Sequence, residues 1–223
     1  MPDGQYSFYL HSDDRTDIAA MATISTISQP LRGEFIRTAA TAGAVVYQVD
    51  ARLPALIPVF FAGQLSAVRL CAVMALVSGT WSSLTGLPDE PENGGAALPV
   101  SPETEYQRRR YTLTLQNGRS GERVESVLTE ASSRLRGDLL RNLIITGLAL
   151  HTTAPELPRL LTSMPVPPTS VSELQALVQQ MAGTTAVNRA AAAVPDTPAA
   201  PAAPVSGSDT REIKKNMRRA FGD

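Results

Sequence analysis

The chain has 223 residues, 43% hydrophobic and 18% charged, and its 20 Lys and Arg against 21 Asp and Glu leave a formal net charge of −1. That length holds one large domain or two small ones, each with a core. A single cysteine, Cys71, excludes a disulfide framework, and with only two histidines beside it a Cys/His zinc cluster within the chain is excluded too.

Taken in chain order, residues 1–10 (MPDGQYSFYL) carry Asp3 and lack the basic and apolar plan of a signal peptide. Tyr6 to His11 alternate in character with a period of two, which predicts a strand with two different faces. Asp17 to Ile27 form an amphipathic stretch, with Ile18, Met21, Ile24 and Ile27 at helical spacing. Ser28-Gln29-Pro30 break it, and a second helix is expected near Gly33 to Gln48. Leu53-Pro54 reads as a helix stop. A further helix is expected from Gln64 to Val77; its apolar part, Leu65 to Val77, is interrupted by Arg69 and is too short to span a bilayer. These features together predict a soluble protein of a reducing compartment.

Residues 88–105 contain five acids and no base. The same order of elements then returns. Tyr111 to Gln116 predict a strand, and Gly121 to Ser132 a helix, with Val124, Val127, Leu128 and Ala131 on one face. After Ser133-Arg134 a second helix is expected from Gly137 to Thr152, then a stop at Leu157-Pro158 and a helix from Val171 to Met181. Residues 106–164 hold nine Arg against five acids, so a net charge near zero does not exclude a polyanionic partner.

The recurrence is a true internal repeat. LRGEFIRTAATAG (31–43) and LRGDLLRNLIITG (135–147) align at a constant offset of 104, matching Leu31, Arg32, Gly33, Arg37 and Gly43 to Leu135, Arg136, Gly137, Arg141 and Gly147. The register continues through Leu53-Pro54-Ala55-Leu56 against Leu157-Pro158-Arg159-Leu160, and one residue of slip aligns Tyr6 with Tyr111. Strand, helix, helix in about 45 residues is a ribbon-helix-helix pattern. The fold class expected is therefore mainly α with short β-ribbons: two tandem ribbon-helix-helix modules, each followed by an extra helix. The expected organisation is a first module at 1–87, an acidic linker at 88–105, a second module at 106–183, a disordered Ala/Pro linker at 184–208 and a tail helix at 209–223. A lone short strand leaves its backbone groups unpaired. The two strands can pair within one chain or between two, and both arrangements stay open here. Gly43 and Gly147 are expected to permit close helix packing.

The strand YSFYLHSDD, the helix after it and the segment RTAATAGAVVYQVDARLPALI resemble the ParR/StbB plasmid partition adaptors, over residues 5–80 and again over 107–183. The tandem arrangement departs from that family's usual single module per chain. The resemblance implies a centromere-binding protein whose antiparallel ribbon enters the major groove of double-stranded DNA while the second helices hold phosphates at their N-termini. It further implies recruitment of an actin-like ATPase of the ParM/StbA type, self-association on centromere-like repeats, and a bacterial cytoplasmic location with the nucleoid or plasmid, with no membrane partner.

A two-stranded ribbon fits the major groove, and its outward side chains meet base edges. With Tyr6, Phe8 and Leu10 inward, Ser7, Tyr9 and His11 face out. With Tyr111, Leu113 and Leu115 inward, Thr112, Thr114 and Gln116 face out. Arg108, Arg109 and Arg110, read as preceding the second strand, are cations for phosphates or guanine edges. Arg32-Gly33 and Arg136-Gly137 open the second helices, where exposed N–H groups attract a phosphate. The second strand is expected to supply most of the affinity, with larger losses for Arg109→Ala and Arg110→Ala than for Tyr9→Ala. His151, at a helix end, reads as structural.

The tail DTREIKKNMRRAFGD has five bases, three acids and an Asp209/Glu212 pair at capping-box spacing. Ile213, Met217, Ala220 and Phe221 share one helical face, the form of a helix-in-groove ligand. The expected motor-binding residues are Ile213, Met217 and Phe221, helped by Lys214, Lys215, Arg218 and Arg219. No catalytic, cofactor or metal site is expected: P-loop, H-E-x-x-H and G-x-S-x-G motifs are absent. Two other readings remain beside the adaptor, a ribbon-helix-helix repressor of the antitoxin or conjugation-accessory kind, and an interaction scaffold that does not bind DNA.

Overall fold

The structure, a computed structural model, describes residues 4–80 and 108–192, with side chains described as far as residue 183. The acidic linker and the 209–223 tail, with all its expected motor-binding residues, lie outside the described residues.

Strand β1 (Gln5–His11) pairs antiparallel with β2 (Arg108–Thr114) of the same chain, in a register running from Gln5↔Thr114 to His11↔Arg108. Pairing within the chain answers the question the sequence left open. The middle pair is Ser7↔Thr112, and these two are equivalent in the repeat. The ribbon thus turns about an approximate twofold axis through that pair. Its inner face carries Phe8, Leu10 and Leu113, all but fully buried, with Tyr6 and Tyr111 packed against them. Phe8 and Tyr111 stack at 5.2 Å between ring centroids. Each such side chain removed from water contributes roughly 1.5–3 kcal/mol, which ties the short ribbon to the helices beneath.

Those helices follow in the order expected. In the first half α1 spans Arg15–Ser25, α2 Arg32–Val49, α3 Leu53–Phe60 and α4 Ala67–Ser78. In the second half α5 spans Arg119–Glu130, α6 Arg136–Thr153, α7 Leu157–Ser163 and α8 Val171–Ala192. The centre of the protein is the crossing of α2 with α6, and it obeys the same twofold. A Cβ on Gly43 would stand 2.6 Å from the carbonyl carbon of Leu143, and one on Gly147 would stand 2.6 Å from that of Ala39. Leu143 is the repeat equivalent of Ala39, so the two contacts are one contact seen twice. Close helix approach at both glycines is as expected.

The halves are interleaved. β1 lies on α6, α2 packs against α5 and α7, and α3 packs on α6. One buried cluster runs from Phe8 to Val178. The modules placed at 1–87 and 106–183 therefore do not have separate cores, because the faces of α2 and α6 are each covered by helices from the other half. The described residues up to 186 form one compact unit.

Two short helices depart from expectation. Leu53-Pro54 and Leu157-Pro158 do not stop helices; each opens one, with proline in the first turn of α3 and α7. Proline lacks an N–H, and the first turn of a helix has no intrahelical acceptor for it. The preceding helices end instead at extended Asp50 and Ala154. Helix α8 also runs beyond the expected Met181 to Ala192, into residues expected as linker, and ends in the strong helix formers Arg189 to Ala192.

Candidate nucleic-acid interface

Pleating sorts the ribbon into two faces, since cross-strand partners share a face. The outer face is Gln5, Ser7, Tyr9 and His11 against Thr114, Thr112, Arg110 and Arg108. Ser7, Tyr9, His11, Thr112 and Thr114 thus stand where the alternation placed them, and Gln116 is exposed just past the end of β2. Gln5 was missed, because the strand was expected to begin at Tyr6.

The arginine run is split. It lies inside β2 rather than before it, so its three side chains alternate. Arg108 and Arg110 are on the outer face. The Arg108 guanidinium sits 3.5 Å over the Tyr9 ring, and Arg110 donates from Nε and Nη2 to Ser7 Oγ at 3.2 and 2.9 Å. Both lean diagonally to the neighbour two residues from their direct partner. Arg109 pairs with the buried Leu10 and belongs to the other face, with its guanidinium 5.2 Å from the Tyr111 ring. Burial raises the Tyr111 hydroxyl above its ordinary value, while the charges of Arg109 and Arg32 pull it back. Arg109, 5.2 Å from the Tyr111 ring, and Arg32, at the start of α2, thus both act on the Tyr111 hydroxyl. The structure does not place Arg109 among the residues of the ribbon's outer face.

The two helix starts are alike. Neither α2 nor α6 has a side-chain cap, so their first N–H groups lack that partner. Arg32 donates through Nε to Ile27 O at 2.8 Å and through Nη2 to Ser25 O at 3.2 Å; Arg136 donates through Nε to Ala131 O at 3.2 Å. Each guanidinium thus fastens the preceding loop and still has donors to spare. Gly33 is exposed, and a Cβ on Gly137 would lie 3.6 Å from Ser7 O, so α6 begins against β1. Glu34 and Asp138 in the first turns oppose an incoming phosphate. Leu31 and Leu135, 57% and 58% exposed, stand at the same two starts; the LRG repeat contained them, but no role was assigned to them.

The ends of the ribbon differ. Behind β1, the Asp17 carboxylate is buried and accepts from His11 N at 2.9 Å and from Arg141 Nε at 2.7 Å, while Arg141 also reaches Asp14 at 3.2 Å. Burial pushes Asp17 above its ordinary 3.8, against the lowering effect of His11 N–H and Arg141. The equivalent of Arg141 is Arg37, and the equivalent of Asp17 is Gly121, where a Cβ would run into Gln116 O. Arg37 consequently has no ion-pair partner among the described residues. It lines a cavity of about 310 Å³ with Glu34, Gln116, Asn117, Gly118 and Arg119. The charge of Arg119 and, more strongly, burial lower Arg123 nearby.

Elsewhere, burial raises the Cys71 thiol, disfavouring thiolate. Among the described residues no group of His, Cys, Asp and Glu is placed to hold a metal, and no helix is long and apolar enough to cross a membrane.

A family model described as "Plasmid stability protein" matches the chain twice, over residues 4–74 and 109–178, together more than half its length. No curated protein and no solved structure matches.

Proposed function

The chain belongs to the plasmid stability protein family, and on that premise we propose that it acts in plasmid maintenance as a sequence-specific DNA-binding adaptor of the ParR/StbB, ribbon-helix-helix kind. The β1–β2 ribbon enters the major groove of a centromere-like site, and the starts of α2 and α6 hold the flanking phosphates. The observation that carries this reading is the outer face of the ribbon: eight polar, cationic or aromatic residues in register, Gln5 to His11 against Arg108 to Thr114, over an inner face of buried apolar ones. A two-stranded ribbon has the width the major groove admits. Supporting it are the paired, uncapped helix starts on either side, the arrangement that suits backbone phosphates.

The second half of the adaptor role rests on the sequence of the 209–223 tail, whose Ile213, Met217 and Phe221, with Lys214, Lys215, Arg218 and Arg219, suit a groove on an actin-like filament-forming ATPase.

The test is binding of the full-length protein to duplex DNA from immediately around its own gene, with a random fragment as control, across a salt series. The reading expects a preferred fragment whose affinity falls steeply with salt. Equal retention of both fragments, or affinity indifferent to salt, contradicts it. Removing residues 209–223 is expected to leave that binding intact and abolish capture of the ATPase.

A further inference from the structure

Resting on the DNA-binding reading, we infer that the protein reads a non-palindromic duplex site and lies on it in one orientation. The axis of the ribbon passes through Ser7 and Thr112. In a homodimer with that geometry the two sides of the axis carry the same residues, and the site they read is its own reverse complement. Here the axis survives in the backbone and is lost in the reading face. On one side stand Tyr9 with Arg110 and His11 with Arg108; on the other stands Gln5 with Thr114, followed by exposed Gln116. Repeat equivalence sets Tyr9 against Thr114, His11 against Gln116 and Gln5 against Arg110. None of these exchanges preserves the chemistry.

The chemistry of the two sides selects different bases. Arginine takes guanine O6 and N7 in a bidentate pair, whereas Gln and Thr suit adenine or the thymine methyl. The backbone clamps largely retain their symmetry: Arg32 and Arg136 both donate through Nε to equivalent loop carbonyls, Ile27 and Ala131, with Arg32 adding a bond to Ser25 O, and neither α2 nor α6 has a side-chain cap. Phosphate contacts position a protein and base contacts specify its site. A symmetric clamp accepts the duplex in either direction, so the choice of direction falls to the ribbon. The flanks add to the inequality. Arg141 is neutralised by Asp14 and Asp17 behind the arginine end, while Arg37 and Arg119 line an open cavity beside the Gln116 end.

The experiment is selection of duplexes with a randomised core by the full-length protein, repeated with Arg110→Ala and with Thr114→Ala. The expected motif differs from its reverse complement, with guanine preference gathered at one end. Arg110→Ala is expected to flatten that end alone, lowering the guanine preference roughly ten-fold, and Thr114→Ala to affect only the opposite end. A motif equal to its reverse complement, enrichment of no motif despite duplex binding, or equal flattening of both halves by Arg110→Ala overturns the inference and leaves DNA binding standing. Retention of no duplex at all overturns the DNA-binding reading beneath it.

Discussion

Replacing Gly43 by Ala puts one methyl group into the crossing of α2 and α6, 2.6 Å from the carbonyl carbon of Leu143 and closer still to its oxygen. Ordinary contact begins near 3.4 Å, and the atoms struck are backbone in mid-helix, so no side chain can swing aside. The helices must part by about 1 Å, a gap that forfeits a quarter to a half of the dispersion between the atoms facing each other there. Overpacking of this kind costs about 1–3 kcal/mol, the upper end where backbone meets backbone. Alanine recovers about 1 kcal/mol through its helix propensity. The net loss is about 2 kcal/mol, a fall in Tm of roughly 4–8 °C for an ordered region of this size, read by thermal unfolding of the full-length protein. Gly147→Ala strikes the equivalent atom of Ala39 and should lose the same amount. The double variant should lose less than the sum, because the second methyl enters a gap the first has already opened. Either single variant unfolding at or above the wild-type temperature would show that the two helices do not meet backbone to backbone at these glycines.

Four further outcomes are expected. Arg110→Ala should weaken binding to the preferred site by about 1–3 kcal/mol and relax its sequence preference, whereas Arg109→Ala should weaken all sequences alike and lower the salt slope by about 1; binding titrations across salt separate the two. Asp17→Ala leaves Arg141 only the half-exposed Asp14 carboxylate and leaves His11 N–H without its buried acceptor, at a site where the Asp17 and Arg141 side chains are 1% and 20% exposed, and denaturant titration should show a loss of about 2 kcal/mol. Asp50 is held below its ordinary 3.8 chiefly by the Arg52 guanidinium. Its contribution to stability is therefore present above that value and is lost as pH falls through the folded one, and Asp50→Asn should flatten this part of the acid limb of a stability–pH curve. Deleting residues 209–223 should abolish pelleting with ATPase filaments while DNA affinity stays unchanged.

Local pattern carried much of this structure. The alternation of Tyr6 to His11 and Tyr111 to Gln116 fixed which side chains are inward, since period two admits one assignment once Phe8 is buried. The LRG repeat located α2 and α6, and the glycines nine residues past Glu34 and Asp138 marked the crossing. What the pattern hid were long-range partners. Arg141 meets Asp17 across 124 positions, and the exchange of Asp17 for Gly121 acts through space, leaving Arg37 in an open cavity. Leu-Pro was misread because proline is tolerated at a helix start as well as after a helix end. The arginine run was misread as one cationic unit because it was placed before the strand. Inside the strand, pleating turns Arg109 away from its neighbours.

The most direct test of the outer ribbon as the reading surface is to follow backbone amide chemical shifts of the full-length protein while the preferred duplex is added. The largest changes are expected on residues 5–11 and 108–116, with smaller ones at 32–34 and 136–138. Changes concentrated on α3, α4, α7 or α8, with the ribbon unmoved, would contradict it.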